Sequence, residues 1–208
     1  VTDSPANPAQ APVPNLNIAN VLTTLRIFMV PFFIWAFLAD EQQYGWARWV
    51  AFALFALAIY TDKLDGDLAR SRNLITNFGK IADPIADKLL TGSALVLFSM
   101  VGELSWWITG AILVREWGIT LMRFVVIRYG VMAASKGGKL KTVLQAVAIL
   151  LYLLPWTHTI TWLGVVAFIV MLIALAATLV TGIDYLVKAA QLRARFLANP
   201  EASSGTKA

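Results

Sequence analysis

The 208-residue chain has no cysteine and one histidine, His158. Without thiols it builds neither a disulfide framework nor a thiolate metal centre. Charge is also scarce: 14% of residues are Asp, Glu, Lys or Arg, while 59% are hydrophobic. Soluble domains carry about 25% charged and 45–50% apolar residues. The period-2 alternation of barrel strands is missing, as is any repeat of solenoid period. The net charge of +5 is too small a surplus to point to a nucleic-acid partner. Residues 1–15, VTDSPANPAQAPVPN, lack the basic start and long apolar run of a leader and are expected to form a disordered tail. Residues 198–208 read the same way, leaving 16–197 as one domain. What these absences leave is an all-α integral membrane protein.

Six stretches are apolar enough for helices that cross a bilayer, which takes about 20 residues each. They run from near Val21 to Leu38, from Trp46 through Tyr60 into a polar continuation, and from near Ile85 to Val101. The others cover Trp106–Tyr129, Lys141–Leu154 and Ile160–Leu186. Basic residues gather in alternate connections: Arg70, Arg72 and Lys80; Arg128, Lys136, Lys139 and Lys141; then Lys188, Arg193 and Arg195. The other connections hold Asp40, Glu41 and Glu103, with Arg48 the one nearby cation, and His158 there reads as solvated. Positive charge stays on the cytoplasmic side, so both termini and the 61–87 stretch are expected there, in an inner membrane. Trp35, Trp46, Trp49, Trp106, Trp107, Trp156 and Trp162 fall near the opposite helix ends, as an interfacial belt does; Trp117 does not.

Against this apolar background, Thr61–Asp87 carries five of the twelve acidic residues. Asp62, Asp65, Gly66, Ala69 and Arg70 share a helix face about 140° wide. Gly79, Asp83 and Asp87 drift only about 40° per step and share another. Asp67 falls off the first face. The short polar link predicts that the two helices are antiparallel neighbours, with a bend at Pro84. Carboxylates are costly inside a membrane and by default mark function. With no histidine or cysteine beside them the site is all-oxygen, which suits Mg²⁺, Mn²⁺ or Ca²⁺. Such a carboxylate group suits two ions about 3.5–4 Å apart, an arrangement that clamps a phosphoryl group. The small residues let a ligand approach the backbone, and Arg70 offers a planar fork for a diphosphate. A salt-bridged helix pair using Arg70, Arg72, Lys80 and Lys88 explains the charges but not the small residues beside them. A divalent-cation transporter would carry carboxylates through the full depth of the membrane, and the outer helix halves have almost none.

The spacing Asp62-x2-Asp65-Gly66-x2-Ala69-Arg70-x8-Gly79-x3-Asp83-x3-Asp87 resembles the full signature of the CDP-alcohol phosphotransferases. The resemblance implies six transmembrane helices, usually in a homodimer, with a site open to the cytoplasmic leaflet. It implies that Asp62, Asp65, Asp83 and Asp87 bind two Mg²⁺ or Mn²⁺ ions, and that Asp87 is also general base. It implies that Gly66, Ala69, Arg70 and Gly79 hold the CDP group of CDP-diacylglycerol.

Other stretches bear on the acceptor. Leu22, Thr23, Arg26 and Pro31, with FGKIADPIADKLLTG, the REWGIT run and GKLKT, are similar to the phosphatidylglycerophosphate synthase branch. Arg115 sits well inside the fourth helix and needs an anion; Glu116 should point about 100° away from it. Arg115, Lys139 and Lys141 are therefore expected to bind the phosphate of glycerol 3-phosphate. An interhelical ion pair at Arg115 and plain interfacial anchoring at the lysines are the simpler readings. Inositol phosphate, or phosphatidylglycerol in cardiolipin synthesis, are the rival acceptors.

Overall fold

The computed structural model describes residues 18–71, 77–126 and 136–198; of the two expected tails only Ala198, helical here, falls among these. All regular structure among them is helical: α1 (Ile18–Ala39), α2 (Trp46–Ser71), α3 (Asn77–Met100), α4 (Trp106–Val126), α5 (Lys136–Leu153), the single turn α6 (Trp156–Thr159) and α7 (Thr161–Ala198). Apolar runs alone predict a later start for α3 and α5. Both begin in polar sequence, and α3 continues through Pro84 from Asn77. α7 runs twelve residues past the predicted Leu186, so its 38 residues reach about 57 Å, well beyond a hydrocarbon core of about 30 Å.

The core is aromatic at its centre and lean at its helix contacts. Phe33, Phe55 and Phe98 have no exposed surface. Around them Ala36, Ala51, Ala58, Ala94, Ala148, Ala167 and Ala174 let backbones approach closely, as membrane helices require. The outer surface is as apolar as the inside: Phe28, Phe32, Val114, Leu121, Val180 and Ile183 are all more than 60% exposed. A water-facing protein does not carry such a surface, so this chain is a membrane protein. Two helices, over Asn20–Ala39 and Thr161–Leu192, are long and apolar enough to cross a bilayer by composition alone. Every 18-residue window of α2, α3, α4 and α5 contains at least three charged residues, and those residues build the sites described below.

α1 packs along both α2 and α3, α5 along α7, and α4 along α7. The direct α2–α3 pairing predicted from the short link is corrected. Among the described residues α1 is the principal neighbour of both, and their carboxylates face each other across it. The seven predicted belt tryptophans are all exposed. Contacts such as Trp49 against Trp156, 5.2 Å between ring centroids, gather their helix ends on one side of the bundle. The carboxylates lie towards the other.

Candidate active site

α1 contributes the parts that the signature does not contain. Thr23 and Arg26 are one turn apart and face the same way. Arg26 is 1% exposed; its Nη1 donates to Asp62 Oδ1 at 2.5 Å and its Nη2 to Asp65 Oδ2. Thr23 Oγ1 donates to Asp83 Oδ1 at 2.5 Å. A buried guanidinium is stable only when paired and hydrogen-bonded, so α1 is locked to the acidic faces of both α2 and α3. Asp65 also feels the charge of Asp83, and Asp87 that of Asp62, which brings all four carboxylates to one region. Gly79 is buried and Gly66 half-buried beside them, while Asp67 is exposed. Ala69 and Arg70 lie in the last turn of α2, but their side chains are outside what is described. Among the described residues no three acidic or histidine side chains close into a metal cage. Asp62 and Asp65 close on Arg26 instead.

Next to this cluster lies a cavity of about 410 Å³, bounded by α3, α4, α5 and α7. Its wall includes Asp87, Lys88, Arg115, Glu116, Lys139 and Lys141. A smaller cavity of about 50 Å³ runs on from it, reaching Arg26, Asp62 and Gln145 and sharing Asp87, Glu116 and Lys141 with the larger one. The three basic residues predicted from sequence therefore converge, and they do so beside Asp87.

Their charges are arranged by a residue the sequence reading set aside. Glu116 does not point away from Arg115: its Oε1 accepts from Arg115 Nη1 at 2.8 Å and from Lys141 Nζ, with Lys88 at 4.0 Å from Oε2. Successive residues leave a helix about 100° apart, but the long arginine side chain spans that angle. Arg115 Nη2 goes on to Thr181 Oγ1 on α7, 2.7 Å away. Gly182 admits this path, since a Cβ there would lie 3.1 Å from Arg115 Cγ. Lys139 is exposed and makes no ion pair among the described residues. Three cations, Arg115, Lys141 and Lys88, thus gather around the Glu116 carboxylate, with Lys139 left outside that group.

The model of the CDP-alcohol phosphatidyltransferase family matches residues 16–197. The chain belongs to this family. Over 173 residues it is 51% identical to a probable phosphatidylglycerophosphate synthase of Mycobacterium tuberculosis (strain H37Rv), covering 83% of this chain and 81% of the relative. A CDP-diacylglycerol–glycerol-3-phosphate 3-phosphatidyltransferase of Bacillus subtilis (strain 168) is 37% identical over 153 residues, 67% of this chain and 79% of its own. One of the same description from Rickettsia felis is 36% identical over 171 residues, covering 81% and 93%.

In this CDP-alcohol phosphatidyltransferase, four residues of the site escaped sequence reasoning: the counter-ion role of Arg26, the bond from Thr23, the hub at Glu116, and Gln145. One signal was available, because an arginine in an otherwise uncharged apolar helix must find an anion and α1 contains none. His158, predicted to be solvated, is also corrected. Its ring stacks on Tyr44 at 4.3 Å and its Nε2 lies 2.9 Å from Tyr152 O.

Proposed function

We propose that this chain transfers the phosphatidyl group of CDP-diacylglycerol to sn-glycerol 3-phosphate, giving phosphatidylglycerophosphate and CMP. The carrying observation is the cavity of about 410 Å³ in which Asp87 shares a wall with Arg115, Lys139 and Lys141. A phosphate monoester bears about −1.5 to −2 charges at neutral pH. The charged wall has four cations, Lys88, Arg115, Lys139 and Lys141, and two carboxylates, Asp87 and Glu116. Its formal balance of +2 suits such an anion. The names of the relatives support the same donor and acceptor.

Asp62, Asp65, Asp83 and Asp87 would hold two Mg²⁺ or Mn²⁺ ions, which supply positive charge to the diphosphate and to the departing CMP. The donor set fits: it is all carboxylate, and it already gathers a cation in Arg26. Gly66, Ala69, Arg70 and Gly79 hold the CDP group. Lys139, Lys141 and Arg115 fix the acceptor's phosphate, so that its primary hydroxyl meets Asp87. Asp87 takes the hydroxyl proton as that oxygen attacks the phosphorus bearing diacylglycerol. The new P–O bond forms as the bond to CMP breaks, and CMP leaves with the electron pair. The six long helices cross an inner membrane with the site on the cytoplasmic side, and the enzyme works as a homodimer. The basic connections and the opposite tryptophan belt support that orientation.

The test is an acceptor screen. Purified protein receives CDP-diacylglycerol, Mg²⁺ or Mn²⁺ and one acceptor, and CMP release is measured. Release is expected with glycerol 3-phosphate and not with serine or inositol. Release with inositol phosphate but not glycerol 3-phosphate would sink the acceptor assignment and keep the transferase.

A further inference from the structure

Gln145 lies on α5 one turn beyond Lys141, so the two side chains share a helix face. It is only 4% exposed, yet its Oε1 is buried with no hydrogen-bond partner among the described residues. An unpaired buried polar atom is costly, so native structures rarely keep one without a use. Gln145 lines the small cavity of about 50 Å³ together with Arg26, Asp62, Asp87, Glu116 and Lys141. Arg26 is turned to Asp62 and Asp65 and Lys141 to Glu116, although Arg26 Nε is itself buried without a partner among the described residues. The hydroxyls of Thr91 and Thr142 in the same wall donate to backbone carbonyls. None of these groups donates to the Gln145 oxygen, which leaves it open to a hydroxyl from outside the chain.

We propose that Gln145 is a specificity-determining residue whose Oε1 accepts a hydrogen bond from the secondary hydroxyl of the acceptor. This rests on glycerol 3-phosphate being that acceptor. Its phosphate goes to Lys139, Lys141 and Arg115 and its primary hydroxyl to Asp87. The middle carbon then lies between Lys141 and Asp87, and both line the cavity that Gln145 closes. A water molecule needs about 10–15 Å³ of such a cavity, so one of about 50 Å³ admits a hydroxyl on its carbon. A site that hydrogen-bonds a substrate hydroxyl rejects the analogue lacking it, because the protein atom is then left unpaired.

The experiment compares two acceptors in the purified full-length enzyme with CDP-diacylglycerol and Mg²⁺: sn-glycerol 3-phosphate, and 3-hydroxypropyl phosphate, which lacks only the secondary hydroxyl. Wild-type kcat/KM should be about ten- to hundredfold higher for glycerol 3-phosphate, the factor that one stranded polar atom corresponds to. Gln145→Leu and Gln145→Met should both fall towards a ratio of one. Because the readout is a ratio within each protein, loss of folded material cancels. Equal use of both acceptors by the wild type would mean that the cavity holds only water, and would overturn the inference. So would variants that keep the wild-type ratio. A wild type that releases CMP with inositol phosphate but with neither of these acceptors fails at the earlier step, the acceptor assignment itself.

Discussion

Two arginines in this molecule are equally buried, at 1% exposure, and at opposite ends of the bundle. Arg48 donates to Glu103 and to Tyr152 O at 3.3 Å, lies 3.4 Å from His158 Nε2, and stacks over Phe37 at 4.1 Å. Its loop, residues 40–45, has Glu41, Gln42 and Tyr44 at positive φ and is pinned where Asp40 accepts from the backbone N–H groups of Tyr44 and Gly45. Arg48 and Glu103 pair there beside the rings of Phe37, Tyr44 and Phe98. Arg26 is different. It shares its region with four carboxylates, one of which, Asp62, has a 48% exposed side chain, and cavities adjoin it. Burial of an arginine is therefore no mark of a reaction centre. Surplus charge of one sign, opening on a cavity, is the distinguishing feature.

The contrast can be broken experimentally, most decisively at the carboxylates. Asp87→Asn should lower CMP release on the order of a thousandfold while binding of the CDP-lipid persists. Glu103→Gln should leave turnover of the folded enzyme within about twofold. An Asp87→Asn protein with normal turnover would refute Asp87 as base.

Next in size are the arginines themselves. Arg26→Gln and Arg48→Gln each strand a buried carboxylate, so both should destabilise the protein by about 3–5 kcal/mol in detergent unfolding. Added Mg²⁺ should recover the thermal midpoint of Arg26→Gln and leave that of Arg48→Gln unchanged. Equal recovery of both would erase the distinction between the two ends.

Glu116→Gln is expected to raise KM for glycerol 3-phosphate about tenfold with kcat nearly unchanged. Two unit charges 4 Å apart repel by about 4 kcal/mol at an effective dielectric constant of 20, so Arg115, Lys141 and Lys88 disperse without their shared anion. A lower KM would mean that Glu116 merely offsets positive charge.

The smallest effect concerns pH. Burial pushes the Glu103 carboxyl above its ordinary value of 4.5, against the opposing pull of Arg48. The folded protein thus holds this proton more tightly than the unfolded chain does. Its stabilising contribution is complete below pH 4.5 and is lost as pH rises through the higher folded value. The thermal midpoint of Glu103→Gln should vary less with pH over that window than the wild-type midpoint, and parallel curves would count against it.

Much of this was legible in the sequence because membrane chemistry is unforgiving. Apolar length gave the helices, and the spacing of Asp62, Asp65, Asp83 and Asp87 gave the two acidic faces. Arg115, Lys139 and Lys141, far apart in the chain, were grouped by their charge and by the family resemblance of the runs that carry them, and they line one cavity. What stayed hidden depends on which helix lies between which. The α2–α3 link suggested direct neighbours, and no periodicity reveals that α1 packs on both. Glu116 was misjudged because an angle between Cβ atoms says little about where an arginine's terminal nitrogens reach. His158 was misread because its partners, Tyr44 and the Tyr152 carbonyl, come from two other segments.

The seat of α1 across α2 and α3 also bears on how the molecule is assembled. During synthesis α1 enters the bilayer before either acidic helix has left the ribosome. Arg26 and Thr23 are thus already waiting when Asp62, Asp65 and Asp83 arrive, and each carboxylate can meet a partner on insertion instead of facing lipid alone.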